Sequence, residues 1–276
     1  MSAVMASPAV VESGLDSVRA LQHSLYRAAK AGPGRRFHAL SDKVHRRDVL
    51  ERAWADVRRN SGGAAGIEGQ SISDVEEFGV SRLLDGLAAD LKVGRWRPAP
   101  ARRVFIPKPG SREQRPLSIP TVRDRVAQSA VKIVLEPVFE AEMLGCSFGF
   151  RPRRGAHDAL QVLIDESWRG RRWVVETDIA NCFEAIPHDR LMLAVGERVC
   201  DQAMLGLLRA MLRAGVAADG VVRASVTGTP QGGVVSPLLA NVYLHLPAGH
   251  PRAVSPGSSP VSSATSAPSR GSPSRS

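Results

Sequence analysis

Asp178 is the residue whose surroundings most suggest chemistry. It ends the run Trp173-Val-Val-Glu-Thr-Asp178, which reads as a buried strand delivering a carboxylate at its carboxyl end, and Phe183 follows five residues later. Strand-end carboxylates suit Mg²⁺, a hard cation that takes oxygen ligands. A single Asp in that place more often begins a turn, so both uses stay open on this residue alone.

A second group is cationic. Arg102-Arg-Val-Phe-Ile-Pro-Lys108-Pro-Gly110, followed by Arg112 and Arg115, sets basic residues around a tight turn. Alternate side chains of a two-stranded ribbon share a face, so these cations can grip a triphosphate or a nucleic-acid backbone. A charged, solvated hairpin guarding a sheet edge gives the same pattern. Ser147-Phe-Gly-Phe150-Arg151-Pro-Arg-Arg154 interleaves rings and guanidinium groups, a mixture that serves base stacking and phosphate contact. Phe148 and Phe150 fit a core equally well. In Gly228-Thr-Pro-Gln231-Gly232-Gly233 the glycines allow close backbone approach, and the amides opening the next helix favour phosphate or sugar oxygens. A plain loop capped by Ser236 is the alternative. Asp124, Arg125 and Gln128 stand at the start of a long helix, where an acid near the amino end is favourable in any case.

Periodicity supplies the elements that must hold these groups. Apolar spacing predicts helices over 15–29, 43–59, 74–91, 122–144, 156–168, 189–199, 202–213 and 236–246, with Gly and Pro marking several breaks. Alternation around Pro109-Gly110 predicts a ribbon over 102–120, and short strands are expected at 173–178 and 221–226. Mixed strands and helices give an α/β or α+β fold. The expected organisation is a flexible or helical arm over 1–35 (flexible to about residue 17), one main body over 36–246, and a tail over 247–276. Ser, Pro and Gly fill 19 of the 30 tail positions and none is acidic, so that segment is expected to be disordered.

The chain has 276 residues, 37 basic against 27 acidic, for a net charge of +10. Such a field attracts polyanions, making nucleic acid or an acidic membrane surface the leading partner class, although a generally Arg-rich protein would show the same excess. Three widely spaced cysteines, Cys146, Cys182 and Cys200, lack metal-ligand spacing and read as reduced thiols. No apolar run is long enough to cross a bilayer, and the first residues lack the order of a secretion signal. The expectation is a cytoplasmic protein with no membrane partner.

Taken in order, these blocks closely resemble the reverse transcriptases encoded by group II introns, from about Leu21 to Leu246. Gly66-Ile-Glu-Gly69, Ile106-Pro-Lys108, Arg115-Pro-Leu117, Phe148-Gly-Phe-Arg-Pro152, Asp178 through Phe183 to His188, and Thr229-Pro-Gln-Gly-Gly233 with Ser236-Pro-Leu-Leu-Ala-Asn241 carry the likeness. The resemblance implies a right-hand polymerase fold with fingers and part of a palm. It implies Asp178 as catalytic Mg²⁺ ligand with the Ile179 carbonyl, and Phe183 beneath the incoming sugar. Lys108 and Arg115 would hold the triphosphate and Gln231 would line the nucleotide pocket. Arg125, Phe150, Arg151, Arg154, Gly232 and Gly233 would meet the RNA template. The implied partners are intron RNA, a DNA primer and dNTPs, with two Mg²⁺ ions.

The resemblance also implies a further palm hairpin carrying Ala-Asp-Asp. This sequence has no Asp-Asp pair, and no acid follows Asp219. The expectation is a chain cut short of a complete metal site, with an incomplete palm sheet and no thumb. It would not polymerise DNA by itself, and its uncovered palm face would favour low stability or aggregation. A non-catalytic, maturase-like intron-RNA binder and a decayed gene product are the competing readings. Nothing in the sequence indicates an oligomeric state.

Overall fold

A computed structural model describes residues 8–60, 63–107, 110, 114–225, 227–229 and 232–245. The expected tail over 247–276 lies outside them, as do Lys108 and Gln231.

The fold is organised around α6 (Val122–Glu140), fifteen of whose residues are buried. Its apolar residues fall on every side, the pattern of a helix enclosed by protein. Helices α1 (Pro8–Ala31), α2 (Ser41–Val44), α3 (Arg47–Asn60) and α5 (Val80–Lys92) pack against it, and α11 (Ser236–His245) meets it from the other end of the chain. Pro137 lies inside α6 and has no N–H to give the Ile133 carbonyl. Gln22 of α1 donates its side-chain amide to that carbonyl at 3.2 Å, so the proline's missing bond becomes an attachment point for α1. Residues 8–17, expected as flexible arm, are instead the first turns of α1. The helix is held through Val18, Leu25 and Ala29 in the same core as the rest.

The helix expected over 74–91 is two helices, α4 (Ile72–Phe78) and α5, because Gly79 between them has φ +106°, outside helical geometry. Ser71 and Asp74 cap α4 reciprocally.

The ribbon forms as expected. Strand β1 (Ala101–Pro107) pairs antiparallel with β2 (Gln114–Ile119), in a register that sets Arg102 opposite Ile119 and Ile106 opposite Arg115. A short hairpin joins it: β3 (Val216–Ala218) runs parallel to β1 and returns through β4 (Val221–Arg223), giving the order β2-β1-β3-β4. Asp219 and Gly220 turn that hairpin with φ of 51° and 76°, both positive as a type I′ turn requires. The remaining helices are α7 (Ala156–Trp168), α8 (Cys182–Ala185), α9 (His188–Gly196) and α10 (Gln202–Arg213).

One sequence expectation fails outright. Residues 173–178 join no described strand and are not buried: Trp173 is 97% exposed and Val175 88%. A strand exists only through a neighbour's backbone, and no described strand lies beside this segment. Among the described residues no helix is long and apolar enough to cross a membrane.

The amino-terminal helices are fastened to the α9–α10 junction by Asp201. Its carboxylate accepts from the amides of Leu40 and Ser41 at 2.8 Å each and from Met204, which it caps, at 3.0 Å. Burial pushes its pKa up, but the backbone N–H groups of Ser41, Leu40 and Met204 outweigh burial and hold it below the ordinary 3.8. A carboxyl depressed in the folded state adds stability above its unfolded pKa, lost as pH falls through the folded value. We therefore expect Asp201→Asn to lower stability by about 1–3 kcal/mol at neutral pH. Denaturant titrations below pH 4 should show the gap between variant and wild type closing.

Candidate functional site

The buried polar residues of α6 reach outward to the loops that carry the sequence motifs. Asp124 accepts from the Ala99 amide at 2.9 Å, and burial raises its carboxyl pKa against that bond. Arg125 donates to the Ala64 carbonyl at 2.6 Å. Gln128 accepts from the Val234 amide at 2.8 Å. Three loops are thus seated on one helix. Glu68 adds a fourth contact, accepting from the Val122 amide at 3.1 Å. Gly66 lies so close that a Cβ there would stand 2.7 Å from the Thr121 Cα.

The later blocks interlock in the same way. The Thr229 amide donates to the Phe183 carbonyl and that of Gly228 to the Ile186 carbonyl, both at 2.8 Å. His188 Nε2 lies 2.7 Å from the Gly228 carbonyl. The block after Asp178 and the block before α11 therefore form one unit. Gly232 ties that unit to β2: at φ +103° a Cβ there would collide with the Ser118 carbonyl oxygen. Phe150 meets Phe183 edge to face at 6.2 Å between centroids, and Asn241 of α11 donates to the Gly149 carbonyl at 2.9 Å.

Within this frame the predicted residues take different positions. Asp178 and Ile179 are exposed on the segment that joins no sheet, and no described residue pairs with Asp178. Phe183 is half-buried against the core, and Phe150, at φ 56°, is 68% exposed. Arg115 is exposed on the β2 face that also carries Arg102. Arg102 is committed to the Ala65 carbonyl, which leaves Arg115 as the open cation of that pair. Gly233 is buried beside exposed Gly232. Arg154 lies over the Phe148 ring at 5.3 Å and donates to the Gly145 carbonyl.

Two of the expected template contacts need correction. Arg125 is 4% exposed and bound to Ala64. Arg151 is 8% exposed, forks onto Glu140 and donates to the Leu144 and Ser147 carbonyls. Both guanidinium groups bond within the protein and hold its loops, and Arg125 also lines the cleft between α1, α3 and α6.

A cleft of about 1310 Å³ runs between α1, α3, β2, α6 and the loops at 152–153 and 232–234. Arg19, Arg52, Lys132 and Arg153 line it together with Asp56 and Glu136. Burial raises the Glu136 pKa, with Lys132 opposing. Sequence reading passed over the positioning roles of Gln128, Glu68 and Asn241. Their signal is faint: single polar residues on the apolar helices α6 and α11 for Gln128 and Asn241, and a loop acid for Glu68.

Residues 106–252 match the family model described as reverse transcriptase (RNA-dependent DNA polymerase). The group II intron-encoded protein LtrA of Lactococcus lactis subsp. cremoris is 37% identical over 210 residues, covering 76% of this chain and 34% of that protein. Protein YkfC of Escherichia coli K12 is 36% identical over 234 residues, covering 82% and 60%. An uncharacterized 91 kDa protein in the cob intron of Schizosaccharomyces pombe is 39% identical over 163 residues, covering 59% and 20%. The chain thus spans about a third of the first relative's length and three fifths of the second's.

The two tight glycines test the interlocking directly. Gly228→Ala, whose Cβ would stand 2.7 Å from the Glu184 Cα, and Gly232→Ala should each cost about 1–3 kcal/mol in chemical denaturation. Gly86→Ala, in the open on helix α5, should instead stabilise by up to about 1 kcal/mol.

Proposed function

Because this chain belongs to the reverse transcriptase (RNA-dependent DNA polymerase) family, in its group II intron-encoded branch, we propose that it carries the template- and nucleotide-handling part of an enzyme that copies intron RNA into DNA. The four-stranded sheet and the loops seated on α6 correspond to fingers, and the interlocked blocks over 178–188 and 228–245 to part of a palm. The observation that carries this reading is the convergence of those blocks around Phe183 and Gly228, within reach of Phe150 and β2.

In that reading Asp178 and the Ile179 carbonyl bind Mg²⁺, which suits hard oxygen donors. Phe183 lies under the incoming sugar and crowds a 2′-hydroxyl. Lys108 and Arg115 hold the triphosphate, Gln231 lines the nucleotide pocket, and Phe150, Arg154, Gly232 and Gly233 face the template. The primer 3′-hydroxyl would attack the α-phosphate of a dNTP and displace pyrophosphate, and metal held by Asp178 and the Ile179 carbonyl would supply charge neutralisation there.

A two-metal site calls for more carboxylates than Asp178 alone. Among the described residues no group of three or more His, Cys, Asp and Glu could hold a metal ion, and the sequence has no acid after Asp219. One carboxylate does not balance the mutual repulsion of two divalent ions, so polymerisation requires a carboxylate from another segment or chain. The net charge of +10 favours a second reading as well: a maturase-like factor that grips intron RNA without copying it.

Primer extension on an RNA template with Mg²⁺ and dNTPs, with Asp178→Ala as control, separates these readings. We expect no extension from this chain, together with intron-RNA binding that weakens steeply as salt rises. Asp178-dependent extension would contradict the incomplete site. An absence of RNA binding at low salt would contradict both readings.

A further inference from the structure

The ribbon of β1 and β2 has two faces, and Arg115, proposed to hold the triphosphate, lies on one of them. Arg102, Val104 and Ile106 of β1 share that face with Arg115, Leu117 and Ile119 of β2. The other face carries Arg103, Phe105 and Pro107 with Gln114, Pro116 and Ser118. Phe105 is 56% exposed there, although it stands within a complete two-stranded ladder.

An isolated exposed ring needs no explanation, but this one has particular company. Pro116 stands directly across the ladder and Pro107 two residues on, so stiff apolar side chains flank the ring. Arg103, two residues back, is half-buried, and no described residue takes up its guanidinium group. Arg102, on the opposite face, is by contrast committed to the Ala65 carbonyl. In sequence the ribbon sets Arg102, Arg103, Lys108, Arg112 and Arg115 against the lone acid Glu113, a field that draws a polyanion.

A flat ring beside an unspent guanidinium suits a base stacked on the ring with its phosphate on the cation. A double helix keeps its bases stacked on one another, so the match is to an unpaired strand. We propose that the Phe105 face of the ribbon binds single-stranded RNA, with one base on Phe105 and the adjoining phosphate on Arg103. This site rests on the intron-RNA reading above. It lies on the side of the ribbon turned away from Arg115, so it holds RNA outside the nucleotide pocket.

Equilibrium binding of the full chain to a labelled single-stranded RNA, and to the same sequence as a duplex, tests this over a series of salt concentrations. Phe105→Ala should weaken single-strand binding about tenfold while leaving the salt slope and duplex binding as they are. Phe105→Leu, apolar but without a ring, should behave like Phe105→Ala, whereas Phe105→Tyr should keep the wild-type affinity. Arg103→Gln should flatten the single-strand salt slope by about 0.7, the loss of one phosphate contact. Retained duplex binding separates a lost stack from a misfolded chain. Single-strand binding indifferent to Phe105→Ala would overturn the proposal and leave the face to a protein partner. So would an equal loss on single strand and duplex, or a Phe105→Leu chain as tight as wild type. A wild type that binds neither RNA at low salt would overturn the intron-RNA reading and this site with it.

Discussion

A buried polar group must find its partner within the protein, and α6 buries Asp124, Arg125, Gln128 and Ser129 within two turns. Asp124, Arg125 and Gln128 are all buried, and each bonds to the backbone of a different loop. Leaving one of these partners unpaired costs about 1–3 kcal/mol. The loops at 63–66, 98–99 and 232–234 are therefore fixed relative to one another, although far apart in sequence. The same helix turns the missing N–H of Pro137 into an anchor for α1 through Gln22.

From this frame the functional blocks follow by contact. Gly232 sits against Ser118, Gly228 and Thr229 pair with the turn holding Phe183, and Asn241 reaches Gly149. Order declines where these links end. Helix α7 and the residues up to Asp178 have neither buried side chains nor a ladder. Regions poor in buried contacts open most readily, so among the described residues Asp178 stands on a poorly supported segment, while Phe150, Phe183, Gly232 and Gly233 stand on a braced one.

Much of this was legible in the sequence, because helix period and turn chemistry are local. The ribbon around Pro109-Gly110, the helices of the main body and the order of the motif blocks needed no tertiary information. Most of the failures are cases where a neighbour decides. Trp173–Asp178 has the composition of a buried strand, yet no described strand is there to pair with it. Arg125 and Arg151 read as RNA contacts from their charge, and only the fold shows Ala64 and Glu140 taking up their guanidinium groups. β3 is three residues long and exists because Ala101 and Arg102 pair beside it. Gly79 carries the break between α4 and α5 in its backbone angle, which composition does not reveal.

The most direct test of this account is residue-resolved hydrogen exchange on the wild type and on Gln128→Leu, a change that removes the acceptor of the Val234 amide and leaves the helix apolar. The account predicts that Val234 loses protection together with the amides of Gly228, Thr229 and Gly232, while those of α1 and α3 exchange as before. Unchanged protection around Val234, or an equal loss across every helix, would contradict it, for α6 would then be a hydrophobic core and not the part that sets the site.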